Sequence, residues 1–137
     1  MIVLDASVVI KWFQEEENSD QAVSIQKQHS AGENTIIVPD LLFYEVANVL
    51  RYKKEVTQET ITNVLDFLHK AELRSFALSP IELREVIIFA RMYDITVYDA
   101  LYVVLAQQLK CSFVTADRNL QQKLKECSWI KLLTDEL

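Results

Sequence analysis

Glycine and proline are almost missing from this chain of 137 residues: it has one glycine, Gly32, and two prolines, Pro39 and Pro80. That scarcity excludes collagen-like and linker-like chains, and it leaves an all-β fold built on Gly/Pro turns without its turns. Cysteine is nearly as scarce. Cys111 and Cys127 form no Cys/His spacing suited to zinc and no disulfide framework, so they read as small hydrophobes of a reducing compartment. Long apolar runs are absent too: Ala100 to Ala106 falls far short of the ~20 residues that span a membrane. The apolar start, Met1 to Leu4, stops at Asp5 and lacks a basic flank, so no signal peptide is expected. These absences together predict a cytoplasmic protein with free thiols and no membrane segment. Positive charge is in deficit, with 14 Lys and Arg against 20 Asp and Glu and a net charge of −6. Because nucleic-acid binding normally rests on a basic surface, any phosphate chemistry here needs a cation to mediate it.

What is present describes a globular chain. Half the residues are hydrophobic and a quarter charged, which excludes disorder, and the length suits one domain spanning 1–137. Ile2-Val3-Leu4, Ile36-Ile37-Val38, Phe76-Ala77-Leu78 and Ser112-Phe113-Val114 read as short buried strands. Helical spacing lies between them. Leu42, Val46, Val49 and Leu50 follow one apolar face, and Ile61, Val64, Leu65 and Leu68 follow another. Ser79-Pro80-Ile81-Glu82 joins a capping serine, an N1 proline and a capping-box glutamate, predicting a helix from about Pro80 to Met92. A central helix is expected from about Tyr98 to Leu109, since Ala100 to Ala106 is apolar on all sides. Strands alternating with helices predict a parallel sheet of four to five strands with helices on both faces, an α/β/α sandwich. Glu15-Glu16-Glu17-Asn18 reads as a solvated acidic turn, and Arg51, Lys53 and Lys54 as a basic helix end that complements the macrodipole.

Four acids stand where the elements do not need them: Asp5 after the first strand, Glu45 one turn into a helix with Asp40 as its expected N-cap, Asp99 at a helix start, and Asp117 after the strand at Ser112. In a parallel α/β sheet, the carboxyl ends of strands and the amino ends of helices share the edge where such folds bind ligands. The four can therefore converge. Each also has a structural explanation, since Asp5 and Asp117 can cap the helices that follow them and Thr96 with Asp99 has capping-box spacing. Glu45, Asn48 and Tyr52 form a polar strip on a helix whose other face is apolar, directed to where Asp5 is expected. Like charges gathered at one site raise a pKa; Mg²⁺ or Mn²⁺, which favours oxygen ligands, would relieve that repulsion. Water beside such an ion is acidified and can attack phosphorus, so the implied reaction is phosphodiester hydrolysis.

Val3-Leu4-Asp5-Ala6-Ser7, Pro39-Asp40-Leu41-Leu42-Phe43-Tyr44-Glu45-Val46-Ala47-Asn48, Val97-Tyr98-Asp99-Ala100-Leu101-Tyr102 and Val114-Thr115-Ala116-Asp117-Arg118-Asn119 resemble, in order, the four motif blocks of PIN domains, and among them the VapC-type toxins. The resemblance covers nearly the whole chain. It implies a Mg²⁺- or Mn²⁺-dependent endoribonuclease with Asp5, Glu45, Asp99 and Asp117 as its catalytic and metal-binding acids. Ser7, Asn48 and Thr115 match the polar positions that orient those acids. It further implies an RNA substrate, a small antitoxin protein whose helix and arginine enter the acidic cleft, and a homodimer. Asp94 stands where relatives often carry glycine, and it reads as a left-handed helix end rather than a ligand. Arg118 and Lys11 are candidates for neutralising phosphate charge, each equally readable as an ordinary surface side chain. The aromatics Trp12, Phe13, Tyr44, Tyr52, Tyr98 and Tyr102 read first as core or interface residues.

A catalytically silent PIN-like module that holds a basic peptide in its acidic cleft is the alternative. The presence of all four acids counts against it. A phosphatase of the haloacid-dehalogenase type wants a second aspartate where Ser7 stands, and a response-regulator receiver wants paired acids where Asp5 is followed by Ala6.

Overall fold

A computed structural model describes residues 1–134. Its elements run β1 (Ile2–Leu4), α1 (Ala6–Val9), a 3₁₀ turn (Ile10–Trp12), α2 (Ser19–Ser30), β2 (Ile36–Pro39), α3 (Leu41–Tyr52), α4 (Gln58–Lys70), β3 (Arg74–Phe76), α5 (Leu83–Tyr93), α6 (Val97–Gln108), β4 (Ser112–Thr115), α7 (Arg118–Lys123) and β5 (Ile130–Leu132). All strand pairs are parallel, in the order β3-β2-β1-β4-β5. Successive residues of a strand point to opposite faces, yet β2 is buried throughout and so are Val3, Leu4, Phe113, Val114 and Thr115. Both faces of the sheet are therefore covered, as an α/β/α sandwich requires. A second small core, Val86 and Ala90 with Ala100 and Val104, closes the α5–α6 hairpin. Among the described residues, no helix is long and apolar enough to cross a membrane.

Local chemistry explains several of the boundaries. The hydroxyl of Thr57 accepts the Thr60 amide at 3.1 Å and starts α4, and Thr96 does the same for Asp99 at 3.1 Å and starts α6. Asp94 takes the left-handed conformation (φ 52°, ψ 52°) that ends α5, and the Ile95 amide reaches back to the Ala90 carbonyl at 3.0 Å.

Two expectations need correction. The third strand lies at Arg74–Phe76 rather than Phe76-Ala77-Leu78. It is an edge strand set by its pairing with β2, in which Pro39 faces Phe76, and Leu78 packs into the small α5–α6 core instead. The helix expected from Pro80 begins at Leu83. Ser79 does accept the Glu82 amide at 3.4 Å and donate to Glu82 Oε1 at 3.1 Å, but the intervening turn mixes four- and three-residue backbone spacings and is not regular helix. The three glutamates of the turn at Glu15-Glu16-Glu17-Asn18 are exposed, as expected, and two of them also form ion pairs. Glu16 accepts from Lys11 at 3.1 Å and Glu17 from Arg118 at 3.2 Å, and α2 follows directly.

Candidate active site

The strand order places a topological switch between β1, from which the chain moves outward to β2 and β3, and β4, to which it returns. A crevice forms at such a point beyond the carboxyl ends of the strands. Asp5 is the first residue after β1, and Asp117 is the second after β4. Glu45 comes from α3, which follows β2, the other neighbour of β1. Asp99 comes from the first turn of α6, which runs back against the sheet into β4.

Asp5 is buried. It occupies the N-cap position of α1 but makes no side-chain cap bond; its two oxygens instead accept from Ser7, on Oδ1, and from Thr115 at 2.5 Å, on Oδ2. Those hydroxyls are themselves held. Ser7 accepts the Ala116 amide at 2.9 Å and Thr115 the Asp117 amide at 3.1 Å, so the backbone after β4 aims both donors at Asp5. Burial pushes the Asp5 carboxyl up to about 6; the bonds from Ser7 and Thr115 oppose the rise and the charge of Glu45 adds to it.

The other acids continue this chain of repulsion. Glu45 is half-buried and raised by burial and by Asp99, against a hydrogen bond from the Tyr102 hydroxyl. Asp99 is raised by burial and by Asp117, against the Thr96 hydrogen bond and the charge of Lys123. Asp5, Glu45, Asp99 and Asp117 are thus linked in series by mutual repulsion. Asp117 also serves as the N-cap of α7, accepting the Leu120 amide at 3.0 Å, and it shares with Asp99 a depression of about 190 Å³ bordered by Thr96, Asn119 and Lys123.

Among the described residues, no three His, Cys, Asp or Glu side chains stand close enough together to enclose an ion. The donor set nevertheless suits a hard divalent cation, because it is all oxygen, is steered by hydroxyls and carries a surplus of negative charge that Lys123 only partly offsets. A cation that keeps several waters can bridge carboxylates standing apart.

The remaining candidates fall differently. Asn48 is exposed on α3 one turn beyond Glu45, and Tyr52 stands in solvent under the Arg51 guanidinium. Asp40 starts α3 but makes no side-chain cap bond. Lys11 is buried, bound by Glu16 and by the Glu17 carbonyl at 2.7 Å, and so is not the solvated residue its loop position suggested. Arg118 is exposed and paired with Glu17. Trp12 and Phe13 pack on Phe67, whereas Tyr44, Tyr52 and Tyr98 are exposed. Tyr102 reads from the sequence as core, and it is core, yet its hydroxyl reaches Glu45 across 57 positions of chain. No local signal marks that contact.

Comparison with known proteins places this arrangement in context. The family model described as the PIN domain matches residues 2–125. The protein named Ribonuclease VapC3 from Pyrobaculum aerophilum is 29% identical over 129 residues, covering 89% of this chain and 93% of its own length. Two crystal structures share the fold: PAE2754 from Pyrobaculum aerophilum, with TM-score 0.72 and 21% identity over 96% of this chain and 83% of that one, and VapBC2 from Rickettsia felis bound to a DNA fragment from their promoter, with TM-score 0.66 and 15% identity over 96% and 97%.

Proposed function

Since the chain belongs to the PIN domain family, we propose that it is a Mg²⁺- or Mn²⁺-dependent endoribonuclease that hydrolyses RNA phosphodiester bonds, with residues 1–137 as its single domain. The observation that carries this reading is the placement of four acids around the switch point, with the Asp5 carboxylate gripped by the Ser7 and Thr115 hydroxyls and with Lys11 and Arg118 paired with glutamates. Asp5, Glu45, Asp99 and Asp117 would hold the ion. When bound, a divalent cation supplies the positive charge that phosphate approach and phosphorane charge demand. The chain's own residues do the rest. Ser7 and Thr115 fix the Asp5 carboxylate, Thr96 fixes the turn that carries Asp99, and the Leu120 amide holds Asp117. Arg118 can exchange its exposed partner Glu17 for a phosphate at little cost, because a solvent-exposed pair is worth only about 0–1 kcal/mol.

The relatives named as a VapC ribonuclease and a VapBC assembly support a toxin of a toxin–antitoxin pair, with a small antitoxin as partner. An acidic cleft is suited to an arginine-bearing inhibitor. Exposed Ile87, Ile88 and Met92 along α5 support a homodimer.

The experiment is a calorimetric titration of Mn²⁺ into the wild type and Asp99→Asn, paired with cleavage of RNA. Saturable binding weakened by tenfold or more in the variant, about 1.4 kcal/mol, with loss of cleavage, is expected. Full activity in Asp99→Asn, or no Mn²⁺ binding and no metal-dependent cleavage by the wild type, overturns the proposal.

A further inference from the structure

The Tyr102 ring is buried in the middle of α6, 1% exposed, and it stacks on Phe113 of β4 with centroids 5.7 Å apart and ring planes 15° apart. An apolar side chain would fill that place equally well. The hydroxyl, however, leaves the core and donates to Glu45 Oε1 on α3. Glutamate has three rotatable bonds and loses considerable rotamer freedom when ordered, and this hydrogen bond comes from an anchor that cannot itself move, because stacking and burial fix the ring.

The chemistry of the donor matters as much as its position. A lysine or arginine at this place would form an ion pair with Glu45 and cancel the charge that a cation needs. A phenol orients the carboxylate and leaves its charge intact. Burial, together with Glu45, Asp5 and Asp99, pushes the phenol far above its ordinary range, so it stays a neutral donor. The hydroxyls of Ser7 and Thr115 treat Asp5 in the same way.

Resting on the metal-site reading above, we propose that Tyr102 is a positioning residue of the acidic site, whose hydroxyl holds Glu45 in one rotamer beside Asp5 and Asp99 while leaving it negatively charged. One side chain thereby ties together two elements that carry acids, α3 through Glu45 and α6 through its own backbone, and the strand β4 that leads to Asp117, through Phe113.

Tyr102→Phe keeps the ring and its stack and removes only the O–H. In the full chain titrated with MnCl₂ by calorimetry, it is expected to bind Mn²⁺ about tenfold more weakly than wild type. On RNA, kcat is expected to fall with KM unchanged. A purely structural role would lower Tm and leave the Mn²⁺ affinity alone. Because Tyr102 acts through Glu45, adding Tyr102→Phe to Glu45→Gln is expected to change Mn²⁺ affinity less than about twofold. Wild-type affinity in Tyr102→Phe, alongside its loss in Asp99→Asn, overturns the inference and leaves the metal site standing. A Tyr102→Phe loss that persists undiminished beside Glu45→Gln overturns it as well. Absence of Mn²⁺ binding and of metal-dependent cleavage in the wild type removes the metal-site reading and this inference together.

Discussion

Replacing Asp5 by asparagine removes a charge that the fold disfavours, so the variant is expected to be more stable than the wild type at neutral pH while losing cleavage. Burial raises the carboxyl from 3.8 to about 6. The folded state therefore holds this proton more tightly than the unfolded chain does. The cost of ionisation is absent below a pH of about 3.8, grows between there and about 6, and is complete above it. At about 1.36 kcal/mol per pH unit, the rise of roughly two units sets a ceiling near 3 kcal/mol. Asparagine recovers part of that. Its carbonyl can accept from one neighbouring hydroxyl, but its amide must donate to the other, and Ser7 and Thr115 already accept from the Ala116 and Asp117 amides. A hydroxyl has two acceptor lone pairs, so the exchange is feasible at some cost, and a net gain of about 1–2 kcal/mol is expected after that cost. Near 4 °C per kcal/mol, Tm is expected to rise by about 4–8 °C. The assay is urea and thermal unfolding of both proteins in chelator at pH 7.5 and at pH 4.5. The advantage of Asp5→Asn is expected at the higher pH and is expected to shrink at the lower one. A variant no more stable than wild type at pH 7.5, or an advantage that does not change with pH, refutes the reasoning.

Other perturbations test the frame around the site. Phe113→Ala removes a fully buried ring from the centre of the sheet and from its stack on Tyr102; a loss of about 3–5 kcal/mol is expected in urea unfolding. Asp94→Gly relieves a left-handed residue at φ 52° and is expected to stabilise by about 0.5–1 kcal/mol in the same measurement. Lys123 bonds the Asp94 carbonyl rather than its side chain, so that contact survives the change.

Much of the fold was legible because it is written locally. The strands at Ile2, Ile36 and Ser112 and the helices at Leu42, Ile61 and Tyr98 follow from apolar period and caps, and the structure places each within a residue or a few of where those signals put it. The helix Ser19–Ser30 went unread because only Ser19, Ala22 and Ile25 face the core and the rest of its surface is polar. The strand at Arg74–Phe76 was displaced because an edge strand takes its register from its neighbour and carries two exposed residues out of three.

By itself the sequence determined the class of the fold, the positions of Asp5, Glu45, Asp99 and Asp117, the Thr96 and Asp117 caps, and the left-handed turn at Asp94, since each depends on residue type and short-range spacing. The tertiary structure alone decided that the acids repel one another in series, that Ser7 and Thr115 both grip Asp5, that Lys11 and Arg118 are held by glutamates, and that Tyr102 holds Glu45. Those relations join residues as far as 110 positions apart. They exist only once the order β3-β2-β1-β4-β5 has brought the strand ends to one edge; the alternation of strands and helices predicts that shared edge, but not which side chains meet across it.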